Sequence, residues 1–216
     1  MTPEVLDGLS REEALRAAGR SRAYGLFATA VDYPEGRLLE DIRDGRLAEA
    51  LSEALGAVDP GLLDEVDWDA LRDGGEQDEL AIEYTRLFDV GVAGPPCSLY
   101  GGMYGGARMK KMEEAVRFYN HFGLSLAEKP RELPDHLTTQ LEFLHYLAFR
   151  EAEALQAEQD AGAYRRAQRD FIERHPGKWI PKLRAKLEQQ DAMRFFVTLA
   201  RSLERLLERA QMQLKA

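Results

Sequence analysis

Pro134-Asp135-His136-Leu137-Thr138-Thr139-Gln140-Leu141-Glu142-Phe143-Leu144-His145-Tyr146-Leu147-Ala148 is the stretch that decides the fold class. Leu137, Leu141, Leu144, Leu147 and Ala148 recur three and four residues apart, with Glu and Gln interspersed, which is the pattern of an amphipathic helix. This is the strongest such pattern in the chain. It predicts a helix from residue 135 to about 159 that packs centrally. Pro134 offers a rigid first helical position, Asp135 a charge suited to the positive helix end, and His136 a donor that titrates near neutral pH. From residue physics alone this set reads equally well as a helix cap and as a recognition site.

Working outward, Gly and Pro clusters punctuate the chain at residues 33–36, 58–61, 73–75, 91–106, 129–134 and 175–177, and the intervals read as helices. Residues 10–31 carry Leu15, Ala18, Tyr24, Leu26, Phe27 and Ala30 at helical spacing, with Ser10 and Glu13 as a capping box. Residues 191–214 set Phe195, Phe196, Leu199, Leu203, Leu206 and Leu207 opposite Arg201, Glu204, Arg205, Glu208 and Arg209. No segment alternates as a strand does, and β-branched residues are sparse. The expected fold is all-α: a single-domain helical bundle with an N-terminal helical group (about 1–58), an acidic hinge (about 59–79) and a C-terminal bundle (about 80–216).

Composition narrows the function. The chain has 216 residues, 44% hydrophobic content and a formal net charge of -9, enough for one sizeable core. Such a balance disfavours nucleic acid or an anionic membrane and suits a basic partner. The lone cysteine, Cys97, excludes an internal disulfide and a cysteine-cluster metal site. No apolar run approaches the length of a membrane span, and Met1-Thr2-Pro3-Glu4 begins no secretory signal, so a cytoplasmic location is expected.

Three further segments precede the central helix: Glu83-Tyr84-Thr85-Arg86-Leu87-Phe88, then Gly94-Pro95-Pro96-Cys97-Ser98-Leu99-Tyr100-Gly101-Gly102-Met103-Tyr104, then Met112-Glu113-Glu114-Ala115-Val116-Arg117-Phe118-Tyr119. On the first, Tyr84 and Phe88 share a helix face and Glu83 and Arg86 form an ion pair. The second offers an adaptable surface to an apolar peptide through Leu99, Tyr100, Met103 and Tyr104. Glu142 and His145 match one Glu-x-x-His element of a di-iron bundle, but a second is missing from the sequence. There is also no P-loop, and the glycines follow no predicted strand.

This ordered set, over residues 82–153, resembles the TorD/DmsD/NarJ-like redox-enzyme maturation chaperones, and within them the branch serving type II dimethyl-sulfoxide-reductase-family molybdoenzymes. The resemblance implies an all-helical cytoplasmic chaperone, not an enzyme, with no cofactor of its own. Its partner would be the catalytic subunit of such a molybdoenzyme, bound through its twin-arginine leader or as apoprotein until cofactor is inserted. The site residues so implied or chosen are Tyr84, Pro95, Leu99, Tyr100, Met103, Tyr104, Pro134, Asp135 and His136, with the leader's arginines meeting Asp135 and neighbouring carboxylates. A monomer is expected, with helix exchange across the hinge as the route to a dimer. The competing reading is a small helical-bundle enzyme or metal-binding protein using Glu142, His145, His136 and Cys97.

Overall fold

A computed structural model describes residues 3–215 apart from 65, 77, 93 and 126–131, with side chains from residue 11 onward. Nine α-helices and several short 3-10 turns make up the described residues, which contain isolated β-bridges but no strand. Helix α1 (Pro3–Ala30) runs against the central helix that the sequence predicts, here α6, and against α3. Its buried face is Ala14, Ala17, Tyr24, Phe27, Ala28 and Val31. Leu15, 59% exposed, and Ala18 lie on the outer side, so the predicted apolar stripe is rotated: alanines seven and four residues from Tyr24 let α1 approach its neighbours closely. The helix begins at Pro3, so Ser10 lies inside it and not at its start.

Helices α2 (Gly36–Arg43) and α3 (Arg46–Val58) turn through Gly45, whose φ of 77° is left-handed and open to glycine at no steric cost. The acidic stretch 59–79 carries two 3-10 turns, Pro60–Leu62 and Ala70–Arg72. Its charge predicts a loose link. Within it Leu62, Ala70 and Leu71 are buried and Arg209 holds Asp59 at 3.2 Å. The short α4 (Glu79–Tyr84) widens into a π-turn at Thr85–Asp89. There Tyr84 meets Phe88 with ring centroids 4.9 Å apart, and Arg86 grips Glu83 at 2.6 Å, as the spacing implied.

Helix α5 (Arg108–His121) follows a glycine-rich turn, and α6 spans Leu137–Gln156. The remaining helices are α7 (Gly162–Arg174), α8 (Pro176–Gln189) and α9 (Arg194–Gln213), the last burying the predicted Phe195, Phe196, Leu199, Leu203, Leu206 and Leu207. Leu137, Leu141, Leu144, Leu147 and Ala148 of α6 are all in the core. A buried polar cluster fixes the register of α1, α6 and α7: Glu151 accepts from Arg20 at 2.8 Å and from Gln168 at 2.7 Å. Removing one member would strand a buried charge. One short crossing, residues 98–104 against 134–137, joins the glycine-rich turn to the start of α6.

Candidate functional site

That crossing is built by backbone. Leu99 O accepts from Leu137 N–H at 2.9 Å and Asp135 O from Gly101 N–H at 2.8 Å, pairing Tyr100 with His136 in an antiparallel bridge. The central helix therefore starts later than the sequence predicts. His136, not Pro134 or Asp135, occupies the N-cap position, and its Nδ1 accepts from Thr138 N–H at 3.3 Å. Pro134 and Asp135 form the turn before it. Pro134 is buried, with its carbonyl accepting from Tyr119 Oη at 2.8 Å.

Asp135 is only 1% exposed. Its Oδ2 accepts from Gly102 N–H at 3.0 Å and from Arg108 Nε at 3.3 Å. A Cβ at Gly102 would stand 2.3 Å from Arg108 Cγ and 2.8 Å from that oxygen, so only glycine lets the carboxylate reach the backbone. Asp135 is thus buried in the crossing, its Oδ2 bonded and its Oδ1 making no hydrogen bond among the described residues.

Beside His136 a groove of about 690 Å³ opens between α1 and α6, within the range of ligand sites. Apolar walls come from Ala28, Tyr84, Tyr119, Leu124, Phe143 and Tyr146, and polar groups from Asp32, Glu132, His136, Thr138, Thr139, Glu142 and His145. Tyr84 lies at its buried edge and donates to Val31 O at 3.3 Å. Glu132 accepts from Tyr100 Oη at 2.6 Å and stands 3.9 Å from His136 Nε2. With burial first and that carboxylate second, the Tyr100 phenol is pushed up to about 12; it stays a hydrogen-bond donor at neutral pH.

Of the nine residues singled out from sequence, Tyr84 and His136 line this groove and Tyr100 touches it through Glu132. Pro95, Leu99, Met103, Tyr104, Pro134 and Asp135 do not line it. Leu99 is core. Tyr104 is too, stacked on Trp179 at 5.2 Å and donating to Ser98 O at 2.7 Å. Hydrophobic side chains at a helix crossing bury first, and the sequence cannot show that the crossing exists. Sequence reasoning missed Asp32, Glu132, Thr138, Thr139 and Tyr146. The available signal was Gly25-x-x-Ala28-Thr29, a small-residue face on α1 that leaves room opposite Thr138, Glu142 and His145.

Of the residues of the metal-binding reading, His136, Glu142 and His145 line the same groove and Cys97 does not. Cys97 is fully buried and burial pushes its thiol up to about 11, so it is a poor nucleophile and a poor ligand. His145 is itself exposed between buried Leu144 and Leu147 on α6, with its Nδ1 2.8 Å from Ser21 O and 2.9 Å from Ser21 Oγ. Among the described residues, no group of three or more His, Cys, Asp or Glu is arranged to hold a metal ion, and no helix is long and apolar enough to cross a membrane.

The described residues thus form a helical bundle with a carboxylate-rimmed, aromatic-walled groove. The chain belongs to the nitrate reductase delta subunit family, whose model matches residues 45–185, from the end of the α2–α3 turn into α8. Over 198 residues it is 32% identical to a perchlorate reductase assembly chaperone from Dechloromonas aromatica, covering 89% of this chain and 88% of the relative. A selenate reductase assembly chaperone from Thauera selenatis is 38% identical over 139 residues (63% of this chain, 65% of the relative). A dimethyl sulfide dehydrogenase assembly chaperone from Rhodovulum sulfidophilum is 30% identical over 211 residues (93% and 82%). The fold is similar to that of a protein from Archaeoglobus fulgidus described as a redox enzyme maturation protein, with a TM-score of 0.51 at 24% identity over 87% of this chain and 93% of that one. The protein is an assembly chaperone and not an enzyme.

Proposed function

We propose that the groove between α1 and α6 captures the twin-arginine leader of a molybdenum-enzyme catalytic subunit in the cytoplasm, and holds the apoprotein back from export while cofactor is inserted. The client class is that of the type II dimethyl-sulfoxide-reductase family, and the working unit is a monomer. One observation carries this reading: carboxylates of Glu132 and Glu142 lie on the same groove as the apolar Ala28, Tyr84, Tyr119, Phe143 and Tyr146, which suits a segment that is both basic and apolar.

Because Asp135 is spent on Gly102 and Arg108, the arginine-facing role passes to Glu132 and Glu142. Asp135 keeps a positioning role, fixing the turn that sets Glu132 and His136 at the groove. Each charge-assisted hydrogen bond to a leader arginine contributes about 1.5–3 kcal/mol. Micromolar affinity corresponds to about 8 kcal/mol, so apolar burial in the groove must supply the balance. Titration calorimetry with a synthetic twin-arginine leader checks this. Glu132→Gln/Glu142→Gln should weaken binding by about tenfold or more, roughly one lost charge-assisted bond, without lowering the melting temperature by more than a few degrees. Unchanged affinity would sink the assignment.

A further inference from the structure

The glycine-rich turn Gly101–Tyr104 was expected to present aromatic surface to an apolar peptide, yet cations cover it. Arg108 Cζ lies 5.2 Å from the Tyr100 ring centroid and Lys186 Nζ 5.1 Å from that of Tyr104. Lys182 Nζ donates to Tyr104 O at 3.0 Å, and Lys111 Cε lies 3.2 Å from where a Cβ on Gly106 would stand. Burial first, and then repulsion from Lys182 and Lys178, hold the Lys111 ammonium below the usual lysine value. These lysines therefore crowd one another, in a chain whose formal net charge is -9.

Among the described residues, none of Lys111, Lys178, Lys182 and Lys186 forms an ion pair with a carboxylate, while Arg174 nearby is taken by Glu114 at 3.0 Å. Elsewhere the surface arginines are mostly paired, as Arg184 is with Glu188 and Glu204. On α8, Lys178, Lys182 and Lys186 are spaced four apart, so they form a stripe about 12 Å long on one helix face. A stripe of that length exceeds one phosphate group. Exposed methionines stand on the same turn and helix as Tyr104 and Lys111: Met103, 49% exposed on the turn, and Met109, 66% exposed in the first turn of α5. Methionine is the side chain that adapts to varied apolar surfaces.

We propose that this lysine and methionine face is a second docking site, for an acidic segment of a partner polypeptide that also carries apolar side chains. Cations without carboxylate partners are complementary to carboxylates, and exposed methionines on the same turn and helix favour a polypeptide over a small oxyanion. The site does not depend on leader capture in the α1–α6 groove. It lies on the Asp135 and Gly102 side of the crossing, and a basic leader would be repelled there.

The test uses the full chain and fluorescence anisotropy. The probe is a short fluorescein-labelled peptide of glutamates with interspersed Leu and Phe. Binding should weaken about tenfold when the peptide's glutamates become glutamines, and also when its Leu and Phe become Ser. Lys178→Glu/Lys182→Glu should lose the acidic peptide by at least as much, should leave the leader titration unchanged, and should keep the helical circular dichroism of the parent. If the reversal disturbs folding, Lys178→Gln/Lys182→Gln decides the matter in the same way with a smaller loss. The proposal is overturned if the acidic peptide fails to bind, or binds the folded variants as well as the parent. It is equally overturned if inorganic tripolyphosphate displaces the peptide and the Leu and Phe make no difference, because the face is then an oxyanion site.

Discussion

Two neighbouring residues, Asp135 and His136, look into different worlds. His136 faces a groove with carboxylates and aromatic walls, whereas Asp135 turns inward to a glycine-rich turn ringed by Arg108, Lys111, Lys182 and Lys186. The backbone bridge between Tyr100 and His136 joins the two faces. Tyr100 spans them, its ring under Arg108 and its hydroxyl on Glu132. The contrast teaches that one short motif can sort charge by sign: its buried carboxylate anchors the cationic side and leaves the exposed carboxylates to the other.

The largest effect should come from breaking the joint itself. Asp135→Ala removes the acceptor for Gly102 N–H and Arg108 Nε, leaving a buried donor unsatisfied, and should cost about 3 kcal/mol. Urea unfolding should show that loss, and both the leader and the acidic peptide should bind less well; a variant as stable as the parent would mean that the two faces are held apart by something else.

Acid should loosen the cationic side next. His175, at the junction of α7 and α8, is packed against Phe118 and Phe171, and burial, the largest cause, lowers its pKa from 6.5 to about 4. Between those values the unfolded chain holds a proton that the folded chain does not. Stability from this group is therefore fully present above about pH 6.5 and declines as pH falls toward 4. Going from pH 7 to 5 should remove about 2 kcal/mol through His175, and His175→Leu should flatten that part of the urea midpoint's pH profile. A profile that keeps its slope in the variant would assign the acid sensitivity to other groups.

The smallest change sharpens the comparison most. Tyr100→Phe keeps the ring beneath Arg108 but deletes the hydrogen bond to Glu132, and should cost about 1 kcal/mol of stability. Freed from that hydroxyl, Glu132 should bind a leader arginine as well as before or better. Calorimetry showing a tenfold loss of leader affinity would instead make the tyrosine hydroxyl a direct contact.

Much of the architecture was legible beforehand, because a core helix writes its burial into local spacing. Leu137, Leu141, Leu144 and Leu147, like Phe195, Phe196, Leu199 and Leu203, are buried as their period demands. Alanine faces carry a weaker signal, which is why the stripe on α1 was placed one position off at Leu15 and Ala18. The acidic stretch 59–79 carries a mixed signal for a related reason: its carboxylates dominate the composition, while Leu62, Ala70 and Leu71 are buried. Of the site, Tyr84 and His136 were legible and the groove's rim was not.

What the sequence determined alone is the helical class, the order of elements and the family, all set by periodicity and by motifs read within one segment. The tertiary structure alone decided which way each charge faces. Asp135 meets Gly102 and Arg108, Tyr100 meets Glu132, and Lys182 meets Tyr104; these partners lie about thirty to eighty positions apart in the chain. Burial and pairing are properties of such encounters, and helical spacing carries no information about them.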